Sequence, residues 1–97
     1  MVTVVDRAMR EIGASVSSWR KLRRLTQAEV ADRAGIAITT VLRLEKGEGS
    51  TVENLLKIAR SLGVLDQLVS SLDPYSTDLG RLRADEQLPG RVRHPAS

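Results

Sequence analysis

The chain has 97 residues, a modest net charge of +3, no cysteine, no phenylalanine, one tryptophan and one tyrosine. A disulfide framework and a thiolate metal site are therefore excluded, a reducing cytoplasm is the simplest location, and one small domain has to build its core from Leu, Ile, Val and Ala. No apolar run approaches the roughly 20 residues that span a bilayer, and the first five residues, soon interrupted by Asp6 and Arg7, are too few for a signal peptide.

The first predicted helix runs from about residue 5 to residue 24. Gly13 weakens this helix or marks a bend in it. Near its end, Lys21, Arg23 and Arg24 form a basic cluster, which predicts nonspecific attraction to phosphates unless it is only a solvated helix face. Apolar residues recur at steps of four and three, as along one buried helical face: Val5, Met9, Ile12, Val16 and Trp19.

Two short helical patterns follow with almost nothing between them. Thr26 and Glu29 form a T-x-x-E capping box that begins the second helix, which ends at Gly35, a residue able to adopt the left-handed conformation. A third helix spans about residues 37 to 46 and is stopped by Gly47. Two short helices joined by a tight turn with glycine form a helix-turn-helix. The B-DNA major groove admits one helix while the other crosses the backbone, so this unit predicts DNA binding.

Two more helices are predicted after this unit. Ser50 and Glu53 form a second capping box that opens the fourth helix. Its apolar face consists of Leu55, Leu56, Ile58, Ala59 and Leu62. A fifth helix follows Gly63 and carries a second apolar stripe, made of Leu65, Leu68, Val69 and Leu72. The stripe either forms the interface of a homodimer, which a chain this short is expected to need, or caps the core of the monomer.

The prediction is thus an all-α, five-helix domain over residues 1–72 and a partly ordered C-terminal tail over residues 73–97. The tail begins at Asp73 and Pro74, which end the fifth helix. A helical turn is expected around Leu79 to Leu88, and the last nine residues are expected to be disordered. Spaced leucines among mixed charges indicate a segment that docks on a partner.

The chain resembles the XRE-type helix-turn-helix family, which includes the lambda-type phage repressors and many bacterial antitoxins. The resemblance covers about residues 16 to 65. It is carried by Val16, Trp19, Arg20 and Leu25, then by "TQAEVADRAGI", "TTVLRLEKG" and "LLKIARSLGV". The alternative, a plain helical bundle with an accidental turn, does not explain this combination of motifs.

The resemblance implies roles for residues of the second and third helices. Gln27 falls where a glutamine binds a DNA phosphate and braces the reading helix, although it could be a simple helix-start residue. Ile38, Thr39 and Arg43 fall on base-reading positions, with Thr40 beside them. An arginine that reaches base edges usually binds guanine. Ile38 either meets a thymine methyl or belongs to the core.

The resemblance also implies one structural ion pair, and the sequence departs from the family in two respects. Arg20 and Glu45 match a salt bridge that ties the first helix to the end of the third. Ala37 stands where a capping Ser or Lys is usual, so this helix lacks a side-chain cap there. Ile38 and Leu42 are apolar where polar residues are common, so no operator sequence can be transferred from relatives.

The implied function is a transcriptional repressor that binds a two-fold DNA operator as a homodimer in the bacterial cytoplasm, at the nucleoid. Small members of the family are often antitoxins that repress their own operon and bind a cognate toxin, and that role is expected here. The alternatives are a phage or housekeeping repressor without a toxin, and an interaction adaptor that no longer binds DNA. No enzyme, cofactor, metal or membrane association is predicted, because the single histidine, His94, has no nucleophile arranged near it and "KGEG" lacks the Lys-Ser/Thr of a phosphate loop.

Overall fold

A computed structural model describes residues 1–87, with side chains as far as residue 84. These residues form six α-helices and one short 3₁₀ helix without a β-strand, so the predicted all-α fold is confirmed. The helices are α1 (Val4–Leu22), α2 (Gln27–Ala34), α3 (Ile38–Glu45), α4 (Val52–Leu62), α5 (Leu65–Leu72) and α6 (Asp78–Gln87), with the 3₁₀ helix at Pro74–Ser76. The chain divides into two compact units after Leu65. The predicted disorder of the last nine residues lies outside the described residues, as does His94.

The first unit is a four-helix arrangement around one aliphatic core. Helix α1 packs on α3 and α4, and α2 packs on the same two helices. Its buried apolar residues are Val16, Leu25, Val30, Ala31, Val41, Leu44, Ile58, Ala59 and Leu62. Trp19 and Ile36 pack against this core from its edge. The predicted burial of Ile58, Ala59 and Leu62 on the fourth helix is confirmed.

The apolar stripe predicted for the first helix is only partly buried. Val16 is in the core, whereas Val5 and Ile12 are 67% and 43% exposed. Helix α1 has 19 residues and α3 has eight, so α1 is about 28 Å long against about 12 Å for α3. The N-terminal half of α1 therefore extends past the helices that could cover it.

Gly13 has a different role from the predicted weak point or bend, because α1 runs unbroken through it. A Cβ atom on Gly13 would collide with the carbonyl oxygen of Leu44 and would lie 2.8 Å from that of Glu45. Gly13 therefore allows the backbones of α1 and α3 to approach each other closely.

Side chains cap three of the helices of the first unit. In the predicted box, the hydroxyl of Thr26 accepts from the backbone N–H of Glu29 at 3.0 Å, and the Glu29 carboxylate accepts from the N–H of Thr26 at 2.8 Å. Thr3 and Asp6 form an equivalent box at the start of α1 that was not predicted. The predicted box at Ser50 is wrong by one residue.

At the start of α4 the capping residue is Thr51, whose hydroxyl accepts from the N–H of Asn54 at 3.1 Å. The hydroxyl of Ser50 instead donates to the carbonyl oxygen of Thr51 at 2.8 Å. Ser and Thr cap helices about equally well, so two neighbouring candidates could not be ranked from sequence.

The second unit contains the rest of α5, the 3₁₀ helix and α6. Asp73 caps the 3₁₀ helix by accepting from the N–H of Tyr75 at 2.9 Å. Helix α6 packs on this turn, with Gly80 against the backbone of Pro74. A full helix thus stands where a helical turn was predicted, and its Leu79 and Leu82 are 62% and 74% exposed. Within residues 1–87, no helix combines the length and the apolar character needed to cross a membrane.

Candidate nucleic-acid interface

The turn between α2 and α3 is closed by Gly35. This residue has a φ of 69°, in the left-handed region, and its N–H donates to the carbonyl of Asp32 at 3.2 Å. The N–H of Ile36 then donates to the carbonyl of Ala31 at 3.0 Å. These bonds satisfy carbonyl groups that the end of α2 leaves free. The turn therefore holds α2 and α3 at a defined angle.

One face of α3 is in the core and the other is open to solvent. Val41 is fully buried and Leu44 is 4% exposed, whereas Thr39 and Arg43 are exposed on the opposite side. Ile38 is 43% exposed, so it does not belong to the core. Thr40 and Leu42 are half-buried at the edges.

Ala37 precedes α3 and provides no side-chain cap, as the sequence indicated. The first backbone N–H groups of the helix are therefore not capped by a side chain at this position. Such groups, with the positive end of the helix dipole, favour a negatively charged partner.

Arg20 ties α1 to the end of α3. Its Nε and one terminal nitrogen donate to the two carboxylate oxygens of Glu45 at 2.7 and 3.1 Å, and its other terminal nitrogen donates to the carbonyl oxygen of Leu25 at 3.0 Å. The side chains of Arg20 and Glu45 are only 13% and 8% exposed. This two-pronged pairing fixes orientation as well as distance.

The environment of Glu45 keeps it ionised. Burial is the largest single influence and by itself would raise the pKa of Glu45. Hydrogen bonds from Arg20, Gln27 and Ser17, together with the charge of Arg20, outweigh it, so that the pKa of Glu45 is lowered. Conversely, the hydrogen bond to Glu45 raises the pKa of Arg20.

Gln27 lies at the first position of α2 and is half-buried. Its Nε2 donates to Glu45 Oε1 at 3.0 Å, so it connects the start of α2 to the end of α3. Its binding to phosphate stays a prediction. Ser17, which also hydrogen-bonds Glu45, was missed from sequence. Its position three residues before Arg20, on the same helical face, was the available signal.

The basic cluster at the end of α1 separates into two kinds of residue. Lys21 and Arg24 are exposed. Arg23 instead donates from Nε to the carbonyl of Leu62, at the end of α4, at 3.0 Å, and its Cζ lies 5.6 Å from the centroid of the Trp19 ring. A cation at a helix C-terminus is favourable, so Arg23 has a structural contact. The phosphate contacts of all three stay predictions.

Arg24 adopts a backbone conformation that favours glycine, with a φ of 58°. Its N–H donates to the carbonyl of Lys21, and the next N–H donates to the carbonyl of Arg20, both at 3.0 Å. Glycine is the usual residue at this place after a helix, because a side chain there costs roughly 1 kcal/mol. An arginine at this position exchanges stability for a projecting charge.

Arg24→Gly should therefore raise the free energy of unfolding by about 1 kcal/mol, measured by urea denaturation. If Arg24 contacts a phosphate, the same variant should also lower the slope of log affinity against log salt by about one. Arg24→Ala is the matched control, because it removes the charge but keeps the strained conformation, so only the salt slope should change. A wild-type salt slope in both variants would exclude Arg24 from the DNA contacts.

The stripe proposed for dimerisation lies on α5, which has no buried residue. Leu65 and Leu68 are half-buried, and Val69 and Leu72 are 60% and 86% exposed. Among the described residues, no group of His, Cys, Asp or Glu side chains is placed to hold a metal ion.

Two short helices at a fixed angle, the second with one buried and one solvent-facing side, define a helix-turn-helix protein. Residues 16–65 match the model of the family described as "Helix-turn-helix", and the chain belongs to this family, in its XRE-type branch. It is 42% identical over 82 residues to the cryptic phage CTXphi transcriptional repressor RstR of Vibrio cholerae serotype O1 (strain ATCC 39315 / El Tor Inaba N16961), covering 80% of this chain and 73% of that protein. No solved structure matches the chain significantly.

Proposed function

We propose that the protein is a sequence-specific transcriptional repressor that binds double-stranded DNA through α3. The observation that carries this proposal is the solvent-facing side of α3, where Thr39 and Arg43 are exposed. The Gly35 turn and the Arg20–Glu45 pair hold this helix in place. The relative in Vibrio cholerae is a transcriptional repressor, which supports the same role for this chain.

The chemistry of α3 suits a major groove. Eight residues give a helix about 12 Å long, and the groove is about 12 Å wide. Arg43 offers the paired donors that bind O6 and N7 of guanine, while the methyl groups of Ile38 and Thr39 suit the thymine methyl. Thr40 at the edge, and Gln27 at the start of α2, are proposed phosphate contacts, because the first helix of such a unit crosses the backbone.

The proposal includes a homodimer on a two-fold operator. One reading helix contacts too few base pairs for specificity, and two-fold repressors place their reading helices in half-sites about 34 Å apart. Helix α5 is the candidate interface, since an eight-residue helix is too short to be stable alone and its exposed Val69 and Leu72 would be covered by a second copy. The proposed DNA-binding domain then spans residues 1–72.

Selection of binding sites from random duplexes tests this function. The wild-type protein should select a two-fold motif whose half-sites each contain one strict G·C pair beside T-rich positions. Arg43→Ala should weaken binding by about 1–3 kcal/mol per half-site and relax the preference at that pair. Arg60→Ala is the control, because Arg60 is exposed in the last turn of α4, and it should select the wild-type motif.

Two results would contradict the proposal in different ways. If Arg43→Ala selects the same motif as the wild type, α3 does not read the bases as described. If the wild-type protein selects no motif and binds no duplex, the interaction adaptor becomes the better explanation of the helix-turn-helix.

Within repressors, the similarity to a phage repressor favours a phage-type repressor over the antitoxin expected from sequence. The antitoxin role still has one observation in its favour, the exposed Leu79 and Leu82 of α6, which suit a segment that docks on a toxin. Co-expression with the product of the neighbouring gene tests this. Rescue of growth that is lost when residues 73–97 are deleted would support an antitoxin in the cytoplasm, and absence of toxicity would support the phage-type repressor.

A further inference from the structure

The N-terminal half of α1 contacts the loop that follows α3. A Cβ atom on Gly47 would lie 2.9 Å from Arg10 Cα and 3.2 Å from Arg10 Cβ, so the stem of Arg10 lies directly over this glycine. Gly49 is approached in the same way by the sulfur of Met9, at 3.3 Å. Both glycines have a positive φ, of 84° and 90°. The loop over residues 46–51 is thus shaped to receive α1.

This loop should lie close to phosphate when α3 is in a groove, an argument that rests on the proposed function. The N-terminal residues of a reading helix contact the base edges. Since α3 is about as long as the groove is wide, its C-terminal end and the loop after it reach the wall of the groove. That wall is the phosphate backbone.

The charges at this end of α3 favour an anion only modestly without Arg10. Arg43, Lys46 and Glu48 are exposed there, two cations and one acid, and Glu45 is already neutralised by Arg20. Arg10 is exposed as well and adds a third cation beside Gly47.

The nearest acid on the same helix does not occupy Arg10. Asp6 lies one turn before Arg10, and its carboxylate accepts from the backbone N–H of Thr3 at 3.0 Å. Because the stem of Arg10 is already packed on Gly47, little side-chain freedom remains to be lost when its guanidinium binds an anion.

We propose that Arg10 binds a phosphate of the DNA backbone beside the loop after α3. Helix α1 then contributes to DNA binding through its N-terminal half, in addition to the basic cluster at its C-terminal end. This contact requires the overhang of α1 beyond the core, and it accounts for why a solvated half-helix packs on two glycines.

Arg10→Met tests the proposal, because methionine keeps the packed stem and removes the charge. Binding of the full chain to a duplex of random sequence, about 30 base pairs long to span both half-sites, is measured by fluorescence anisotropy at several salt concentrations. The slope of log affinity against log salt should fall by about 0.9, so the ratio of wild-type to variant affinity should shrink about 3.5-fold between 50 and 200 mM salt. Arg60→Met, with the same charge change about 12 Å along α4 from the loop, should keep the wild-type slope.

Thermal unfolding followed by circular dichroism checks that Arg10→Met is folded. A folded Arg10→Met protein that binds the duplex with the wild-type salt slope would overturn this inference and leave the proposed function intact. Failure of the wild-type protein to bind any duplex would overturn both.

Discussion

Arg20→Met is expected to lower the free energy of unfolding by about 3–5 kcal/mol, the usual cost of leaving one member of a buried ion pair without its partner. The Glu45 side chain is 8% exposed and would keep the hydrogen bond from Gln27, but it would lose both bonds from Arg20. The same change would release the carbonyl of Leu25. Urea denaturation at neutral pH measures the loss.

The double variant Arg20→Met/Glu45→Leu should recover much of this stability, because no charge is left buried without a partner. Lys57→Met is the control for an ordinary ion pair. Lys57 lies 3.1 Å from Glu53 with both side chains largely exposed, so its loss should cost less than about 0.5 kcal/mol. A double variant less stable than both single variants would contradict a stabilising role limited to this pair.

The same variants separate the acid sensitivity that comes from Glu45. Its pKa is lower in the folded protein than the ordinary value of 4.5. Its contribution to stability is therefore present above pH 4.5 and is lost as the pH falls through the lower, folded-state pKa. The difference in stability between wild type and Arg20→Met/Glu45→Leu should shift in favour of the double variant across that acidic range.

Gly13→Ala is expected to lower the free energy of unfolding by about 3 kcal/mol, the upper end of the cost of overpacking a core. The added methyl group would meet the carbonyl oxygens of Leu44 and Glu45. These are backbone atoms, which cannot move aside as a flexible side chain can. Helix α1 would have to shift away from α3, and the Arg20–Glu45 geometry would shift with it.

The control for this substitution is Ser15→Ala, on an exposed position of the same helix. Alanine there can only improve helix propensity, by a few tenths of a kcal/mol. Thermal unfolding of the two variants makes the comparison. A Gly13→Ala protein as stable as Ser15→Ala would show that the close approach of α1 and α3 is not required.

Both variants should also weaken DNA binding, although neither residue is a proposed DNA contact. The end of α3 is positioned by Gly13 and Arg20 on α1 and by Gln27 on α2. If that end moves, Arg43 no longer reaches the same base pair. The expected result is a larger loss of affinity for the selected operator than for random DNA.

The local features of this protein were determined by the sequence itself. The capping box at Thr26 and the ends of helices at Gly35 and Gly63 depend on residues within a few positions of each other, and all are present. The solvent-facing side of α3 followed from helical periodicity and from the family motif. Such features need no knowledge of distant residues, because a helix cap or turn satisfies its own backbone groups.

The tertiary structure alone decided what distant residues do to one another. Arg23 donates to Leu62, 39 positions along the chain, and nothing near Arg23 in the sequence distinguishes it from Arg24. Gly13 was interpreted as a weak point because its neighbour, the end of α3, lies more than 30 residues away. Val5 fits the apolar stripe of α1 as well as Val16 does, yet it is exposed because the core-forming helices are shorter than α1. Periodicity identifies which face of a helix is apolar, but only the packed lengths of its neighbours decide how much of that face is covered.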